Sequence, residues 1–410
     1  MNEIKVPFFK ASITKAEEDA VLQVLRSGWL TTGKWAAEFE KKFSASVTSK
    51  DDIQKGKKPV ISLAVNSNTS GMILAMEACG VKSGRAVITT PYTFVSTAAS
   101  AVHLNGDVYF ADIEENSYSI SPDSIRSVLE KLKKDGKIET VAAIVPVHIA
   151  GNLCNMKEIC AIAKEYSTPQ NKIFVIEDCA HSFPSKTKDG YAGTLGDAGI
   201  FSFYATKTIT TGEGGMVTTN SDFLAKRMSQ MRLHGMDRDA WDRYTSDKAS
   251  WEYDIIAPGF KANLPDILSA IGRVQLKKAE SFEFKRKKIV EKYNKAFSDC
   301  DFLTLPPDGE GNAWHLYLIQ INPSKLNCTR NVFAKELQQN GLGISMHFIA
   351  IFHFSYWQKK YPDFKAENFP NAERHYQNTI TLPLWPDMSE EMTDYVIKTV
   401  KSAGEKFHVR

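Results

Sequence analysis

The sequence predicts an α/β fold with a large domain on a mainly parallel β-sheet and a smaller α+β domain at the C-terminus. Between about residues 60 and 220, short β-rich apolar runs alternate with helical patterns, which favours a parallel sheet covered by helices on both faces. The 410 residues exceed the size at which one core stops growing, so two domains are expected. After a long basic helical pattern from Ala270 to about Phe297, the order of predicted elements changes to that of a small α+β unit. We therefore predict a boundary near residue 275, dividing the chain into residues 1–275 and 276–410.

The elements follow in order. An N-terminal arm contains a capping box at Thr14 to Glu17, and its helical stripe stops at Gly28. The predicted strands of the large domain are Val60–Val65, Ala86–Thr90, Val108–Ala111, Val141–Val147, Lys172–Ile176, Gly199–Phe203 and Met216–Thr219. In the C-terminal part we predict strands at Trp314–Ile321 and Ile344–Phe348, a helix at Arg330–Gln339, and a last helix that Ser389 opens.

Composition excludes several classes of function. With 51 basic and 48 acidic residues, the balanced charge gives no reason to expect a nucleic-acid or membrane partner. There is no signal-peptide core and no 18-residue apolar window, so we expect a cytoplasmic protein. Six cysteines without a C-x-x-C pair, and without metal-ligand spacing to the nine histidines, indicate buried thiols and no metal site.

Lys207 is the first candidate for chemistry. It follows the apolar strand that ends near Phe203, with Ser202 five residues before it and a glycine-rich turn after it. A lysine that attacks an aldehyde must lose its proton, so it needs a site that disfavours its charge. A solvated surface lysine is the alternative when the residue is considered alone.

Asp178 directly follows another predicted strand, in the run Glu177-Asp178-Cys179-Ala180-His181. Ligands of open α/β sheets bind at the carboxyl ends of strands, where both Asp178 and Lys207 fall. An aspartate there could hold a pyridine nitrogen protonated, which makes the ring an electron sink. A helix N-cap is the competing interpretation.

A polar turn from Asn66 to Met72 joins a strand to a helix. Amides at a helix start and the helix dipole suit a phosphate, although a plain cap explains the turn equally well. Ser202 could add a hydroxyl, and Phe94 could stack on a planar ring or be core. A phosphate cradle, an aromatic face, a carboxylate and a lysine are together what pyridoxal 5'-phosphate requires.

With these residues in view, the chain resembles the DegT/StrS family of sugar-nucleotide aminotransferases, which have the aspartate aminotransferase fold (pyridoxal-phosphate fold type I). The likeness extends over nearly the whole chain. Its motifs are Ser27–Gly33, Asn66–Gly71, Pro146–His148, Glu177–His181, Phe201–Val217, Ala257–Asp266 and Ala313–Leu316. The stretches Ala257–Asp266 and His234–Arg243 are most similar to the 4-amino-4-deoxy-L-arabinose branch, whose reaction moves an amino group from L-glutamate to C4 of a UDP-4-keto sugar.

The resemblance assigns residue roles by position. Lys207 is similar to the imine lysine, Asp178 to the pyridinium partner and His181 to the group near the ring hydroxyl. Thr69, Ser70 and Ser202 resemble phosphate ligands, and Phe94 the stacking residue. Lys261 or Asn263 resembles a residue that the other subunit donates to the phosphate, which implies a homodimer with shared active sites. Substrate candidates are Trp29, Thr31, Arg238, Arg243 and His347; either arginine could clamp a glutamate carboxylate or be a solvated loop residue.

Two departures and two alternatives accompany this resemblance. Asn68 is larger than the usual small residue, and Ala205 replaces the usual proline. The aromatic segment from Met346 to Phe354 lies where the family contacts the nucleotide sugar.

The implied product is an amino sugar for a surface polysaccharide, lipopolysaccharide or other glycan. The alternatives are transfer to C3 of a dTDP-3-keto sugar, and a non-catalytic sugar-nucleotide-binding or regulatory protein on the same scaffold.

Overall fold

The computed structural model describes residues 5–49, 53, 54, 56, 58–237 and 252–409. The large domain contains strands β1 (Ile61–Val65), β2 (Ala86–Thr89), β3 (Asp107–Phe110), β4 (Val141–Ile144), β5 (Phe174–Asp178), β6 (Lys186–Thr187), β7 (Gly190–Tyr191), β8 (Ala198–Ser202) and β9 (Gly215–Thr219). Strands β6 and β7 form a small hairpin, and the other seven form one sheet in the order β1-β9-β8-β5-β4-β2-β3. Of these seven, β9 alone runs antiparallel to its neighbours. All seven predicted strands are present, and the α/β prediction is confirmed.

Helices cover this sheet on both faces. They are α1 (Lys15–Ser27), α2 (Lys34–Val47), α3 (Asn68–Ala78), α4 (Ser96–His103), α5 (Pro122–Lys134), α6 (Met156–Tyr166) and α7 (Asp222–Met231), with single 3-10 turns at Ile138–Thr140 and Ile149–Gly151. Helix α1 begins with the predicted capping box at Thr14 and Glu17, and Gly28 ends it in the left-handed conformation at φ 73°. No helix in the described part of the chain is both long and apolar enough to cross a bilayer.

The alternation of side chains along β8 separates the core from the site. Phe201 and the following Phe203 are buried on one face, where they pack on Phe39 and Phe43 of α2 at ring-centroid distances of 5.0–5.7 Å. Successive strand residues point to opposite faces. Ser202, between them, consequently points to the opposite face of the sheet.

The C-terminal part has its own antiparallel sheet and its own apolar cluster. Strands β10 (Leu303–Thr304), β11 (Tyr317–Ile321) and β12 (Thr379–Leu382) lie in that order. The helices are α8 (Asp266–Phe297), α9 (Arg330–Gln339), α10 (Ser355–Lys360), α11 (Pro370–Asn378) and α12 (Glu390–Phe407), with 3-10 turns at Ile351–His353 and Ala366–Asn368. The predicted boundary at residue 275 falls inside α8, whose first half packs on the large domain and whose second half enters the C-terminal cluster. The division at 275 stays a prediction.

The predicted strand at Ile344–Phe348 is wrong. In this segment a single residue, Ser345, pairs with β12, at Thr381. Beyond it the backbone pairing with β12 stops: the side chain of His347 lies against β12, with Nδ1 2.9 Å from Thr381 Oγ1, and the His347 carbonyl accepts a hydrogen bond from Tyr92 of the large domain. These tertiary contacts outweigh the local β propensity, and they carry His347 toward the large domain.

Candidate active site

The carboxyl ends of several strands enclose a cavity of about 330 Å³. Strands β1, β2, β5 and β8 run in the same direction, so their ends meet at one edge of the sheet. Seven of the predicted site residues line this cavity: Thr69, Phe94, Asp178, His181, Ser202, Lys207 and His347. The fold thus brings together residues that are up to 278 positions apart in the chain.

Lys207 lies in the loop between β8 and β9. A turn formed by the hydrogen bond from Lys207 N to Tyr204 O (3.0 Å) presents it, and the bond from Phe203 N to Gly214 O (2.8 Å) closes the loop. Burial lowers the pKa of Lys207 to about 8, although the nearby Asp178 carboxylate acts in the opposite direction. The amine is therefore unprotonated far more often at neutral pH than an ordinary lysine.

Asp178 is the last residue of β5 and is buried. Its Oδ2 atom accepts a hydrogen bond from Thr97 Oγ1 (2.8 Å), and its Oδ1 atom accepts from Asn68 Nδ2 (3.2 Å) and Ala180 N (3.1 Å). Burial raises the pKa of Asp178, and these donors together with Lys207 oppose that rise. The three donors favour an ionised, oriented carboxylate.

Three histidines share the cavity wall. The ring centroids of His181 and His315 are 4.6 Å apart, and those of His181 and His347 are 6.5 Å apart. Burial lowers the pKa of His181 and His315 well below the usual range, and lowers that of His347 to about 3. His181 Nδ1 accepts a hydrogen bond from Ala150 N (3.1 Å). The neutral ring therefore carries its proton on Nε2, where it can be donated to a ligand.

The start of α3 is the segment for which the sequence predicts a phosphate cradle. Ser67 caps this helix by accepting a hydrogen bond from Ser70 N (3.1 Å), and the Ser70 hydroxyl accepts from the Ser67 hydroxyl. Thr69 lines the cavity, whereas Ser70 does not. A side chain at Gly215 would come within 2.7 Å of Phe201 O and 2.8 Å of the Ser67 backbone. Glycine there allows β9 to approach the helix start closely.

Phe94 lies at the mouth of the cavity. It is 60% exposed although it is a large apolar residue, and its ring centroid is 6.3 Å from that of Phe348. An uncovered ring beside polar groups is unfavourable in water, so this face suits a planar ligand. The structure therefore favours the stacking interpretation of Phe94 over the core one.

Besides Ser70, four predicted site residues lie outside this cavity and form a separate group: Trp29, Thr31, Lys261 and Asn263. Asn263 Nδ2 donates to Thr32 Oγ1 (2.6 Å), which follows Thr31, and Lys261 Nζ lies 2.6 Å from Asn263 Oδ1. The Trp29 indole donates to Thr32 O, in the same turn. The Ser27–Gly33 and Ala257–Asp266 motifs therefore contact each other. Arg238 and Arg243 lie outside the described residues.

Comparison with known proteins matches residues 11–401 to the DegT/DnrJ/EryC1/StrS aminotransferase family. The chain belongs to this family. It is 38% identical to the spore coat polysaccharide biosynthesis protein SpsC of Bacillus subtilis, over 97% of this chain and 96% of SpsC. It is also 38% identical to the uncharacterized protein MJ1066 of Methanocaldococcus jannaschii, over 98% of each chain.

Solved structures agree with this assignment. The putative sugar aminotransferase Spr1654 of Streptococcus pneumoniae, in its pyridoxal-phosphate form, superposes with a TM-score of 0.85 at 27% identity, covering 98% of this chain and 99% of that one. PseC of Helicobacter pylori, an aminotransferase involved in the biosynthesis of pseudoaminic acid, gives a TM-score of 0.85 at 25% identity over 98% and 100% of the two chains. The aspartate-aminotransferase-like fold and the class of enzyme, a pyridoxal-phosphate-dependent aminotransferase, are confirmed.

The residues present in this aminotransferase fit its cofactor. Hydroxyls and helix-start amides face one end of the cavity, Asp178 and Lys207 lie along it, and Phe94 offers an uncovered aromatic face. His315 lines the same cavity, and its buried Nδ1 atom has no hydrogen-bond partner among the described residues. A buried polar atom without a partner is costly, which indicates that a ligand completes this wall.

Sequence reasoning missed three groups of the aminotransferase site. Asn68 was noted for its size alone, and Thr97 lies one helical turn beyond Phe94, where nothing in the sequence linked it to Asp178. His315 stood within a family motif without an assigned role. Because Asn68 and Thr97 meet Asp178 only through the packing of α3 and α4 on the sheet, no local pattern could have identified them.

Glu177, beside Asp178, serves the scaffold. Its Oε1 atom accepts from Leu195 N (2.8 Å) and Gly196 N (2.7 Å), and its Oε2 atom from Gly193 N (2.9 Å). Its Oε2 atom also lies 3.0 Å from His148 Nε2. His148, Glu177 and Cys179 lie close enough together to hold a metal ion. These hydrogen bonds already occupy the carboxylate, so the contacts support a structural role.

Proposed function

We propose that this aminotransferase moves the amino group of L-glutamate to C4 of a UDP-linked 4-keto sugar, giving an amino sugar for a surface polysaccharide or glycan. The observation that carries the proposal is Lys207, a lysine of lowered pKa that shares a cavity with the buried Asp178 in a chain of this family. The names of SpsC, Spr1654 and PseC support a sugar as acceptor. The resemblance of Ala257–Asp266 to the arabinose branch supports C4.

Each residue of the cavity has a proposed task. When bound, pyridoxal phosphate supplies a ring that withdraws electrons from the reacting carbon. The Lys207 amine would hold the cofactor through its aldehyde and, when free, would serve as the base that moves a proton at the reacting carbon. The Asp178 carboxylate would keep the ring nitrogen protonated, and His181 Nε2–H would be the donor for the ring hydroxyl. Arg238 and Arg243 remain candidates for the glutamate carboxylate.

The charge of the cavity supports a homodimer with shared active sites. Among the described residues that line it, Lys207 is the one basic side chain beside the neutral histidines, and holding the cofactor aldehyde would use its amine. A phosphate dianion held by Thr69, Ser202 and helix amides would still lack a cation. Lys261 lies on the surface near Asn263 and outside its own cavity. We infer that it reaches the phosphate of a second copy.

Substrate choice is tested with purified protein, L-glutamate and a panel of nucleotide-linked 3-keto and 4-keto sugars, with products identified by mass spectrometry. The expected result is amination of a UDP-4-keto sugar, lost in Lys207→Ala and retained in Lys226→Ala, which removes an exposed lysine of α7. Turnover of dTDP-3-keto sugars alone would refute the C4 assignment. A wild-type protein without a visible cofactor band, and without a borohydride-fixed adduct on Lys207, would refute catalysis.

Site sharing is tested by complementation. Lys207→Ala and Lys261→Ala are each expected to reduce activity. In a mixed dimer, one site combines both substitutions and the other has neither. Mixing and refolding equal amounts should restore about a quarter of the native sites if subunits pair at random. Recovery no greater than the sum of the separate variants would refute a shared site.

A further inference from the structure

Asn68 is a buried asparagine where the family resemblance has a small residue. It is the first residue of α3 and is 8% exposed. Its Nδ2 atom lies 3.2 Å from Asp178 Oδ1 and 2.9 Å from Ile200 O. A carbonyl and a carboxylate only accept hydrogen bonds, so the amide nitrogen must face them, and both of its protons are used. The orientation of the side chain is thereby fixed.

This amide joins three elements of the site. Ile200 lies on β8 and its carbonyl also accepts Cys179 N from the end of β5 (2.8 Å). Asp178 lies on β5, and Asn68 itself belongs to the helix whose start forms the phosphate cradle. One side chain therefore connects the groups proposed for opposite ends of the cofactor.

Asp178 would lose orientation without this contact. Thr97 holds the Oδ2 atom at 2.8 Å, whereas the Oδ1 atom is held by Asn68 and by Ala180 N at 3.1 Å. Hydrogen bonds to a charged acceptor are about twice as strong as neutral ones. Removing Asn68 leaves Oδ1 with one donor, in a place where water has limited access because Asp178 is 3% exposed.

We propose that Asn68 is a positioning residue for Asp178, which fixes its carboxylate toward the ring nitrogen and sets the distance between that carboxylate and the phosphate cradle. The inference rests on the proposed role of Asp178 as the pyridinium partner. Asn68 acts through Asp178, and its contribution is therefore to cofactor affinity and to the electronic state of the bound ring.

The experiment uses the full-length holoenzyme with Asn68→Ala and Asn68→Asp. Asn171→Ala is the matched control: Asn171 is also buried, and its Nδ2 atom donates to Val141 O (3.2 Å) at the amino end of β4, at the far edge of the sheet. The readouts are the dissociation constant of pyridoxal phosphate, the pH titration of its visible band on Lys207, and the melting temperature of the apoprotein.

Asn68→Ala should weaken cofactor binding about tenfold or more, as expected for losing a hydrogen bond to a charged group. It should also raise the pKa at which the visible band on Lys207 titrates. The reason is that a more basic Asp178 withdraws the proton from the ring nitrogen, which then draws fewer electrons from the group bound to Lys207. Asn68→Asp places a second carboxylate beside Asp178, and two such groups cannot both ionise. Its affinity should therefore fall further at pH 8 and recover toward pH 6; the other titratable groups that line the cavity are Lys207, Tyr204, Glu213, His181, His315 and His347.

The outcomes separate this inference from the function on which it rests. If Asn68→Ala lowers only the melting temperature, as Asn171→Ala should, and leaves cofactor affinity and the band titration unchanged, then Asn68 is a structural link and the inference is wrong. If Asn68→Asp binds equally well at pH 6 and 8, the contact with Asp178 is refuted. A wild-type protein without the band would instead overturn the proposed function, and this inference with it.

Discussion

The titration of Lys207 gives the sharpest test of the site. With a pKa of about 8, about one-tenth of the amine is unprotonated at pH 7, against roughly 0.03% for a lysine of ordinary pKa. The structure thus predicts a gain of about 300-fold in reactive amine from burial alone. The Asp178 carboxylate limits this gain, because it stabilises the ammonium form.

The assay follows the visible band when apoprotein is mixed with pyridoxal phosphate at different pH values. After correction for the ionisation of the cofactor, the rate should rise about tenfold per pH unit below pH 8 and level off above it. Asp178→Asn should move this break to lower pH, since the charge that favours the ammonium is gone. A rate that keeps rising through pH 9 to 10 in the wild-type protein would refute the argument.

The same shift has a consequence for stability. A group whose folded-state pKa is lowered binds fewer protons in the native than in the unfolded state between the two pKa values. The contribution of Lys207 to the stability of the apoprotein should therefore rise by roughly 3 kcal/mol as pH increases from about 8 to 10.5, while the buried thiols Cys160 and Cys179, whose pKa burial raises to about 11, act in the opposite direction in both proteins compared below. Chemical denaturation measures this rise, and Lys207→Met should abolish it; an equal slope in both proteins contradicts the assignment.

Three further substitutions test the scaffold around the site. Burial alone would raise the pKa of Glu17, but its bonds to Lys278 and Thr14 lower it to about 2. Glu17→Gln should cost about 1–3 kcal/mol of stability above pH 4.5 and remove the part of the stability loss toward pH 2 that comes from Glu17, as followed by urea denaturation. Phe43→Ala should cost about 3–5 kcal/mol in the same measurement, because the fully buried ring contacts Phe201 under the Lys207 loop; a cost below about 1 kcal/mol would contradict this packing. Gly215→Ala should clearly weaken pyridoxal-phosphate binding and change the melting temperature little, since the new methyl group meets backbone at the cradle. An unchanged affinity would show that the cradle tolerates displacement.

The fold was predictable because its strands carry strong local patterns. The strands from Ile61 to Thr219 are short, apolar and separated by helical periods, which is a property of sequence alone. The segment at 344–348 has a similar composition but forms no strand, because the His347 carbonyl accepts from Tyr92 of the large domain and only the side chain of His347 contacts Thr381 of β12. Such long-range contacts are invisible to local patterns.

The sequence indicates Lys207 and Asp178 because chemistry requires their residue types at strand ends; the structure places both at one cavity, and their roles stay predictions. Contacts that tertiary packing makes were not predictable. Thr97 and Asn68 reach Asp178 from two different helices, and no spacing in the sequence indicates that approach. The position of Lys261 also depends on the folded chain, which places its side chain beside Asn263 and its backbone against Asn66, outside the residues that line its own cavity.

Three buried histidines line the cavity without adding charge to it. His181 comes from the large domain, whereas His315 and His347 come from the C-terminal part, and their rings meet beside Lys207. Because burial lowers the pKa of all three, they are neutral at pH 7. A protonated imidazole there would compete with Lys207 for the Asp178 carboxylate and would lower the pKa of the lysine further. The packing of the C-terminal part on the sheet thus leaves Lys207 and Asp178 as the pair whose protonation governs the buried part of the site.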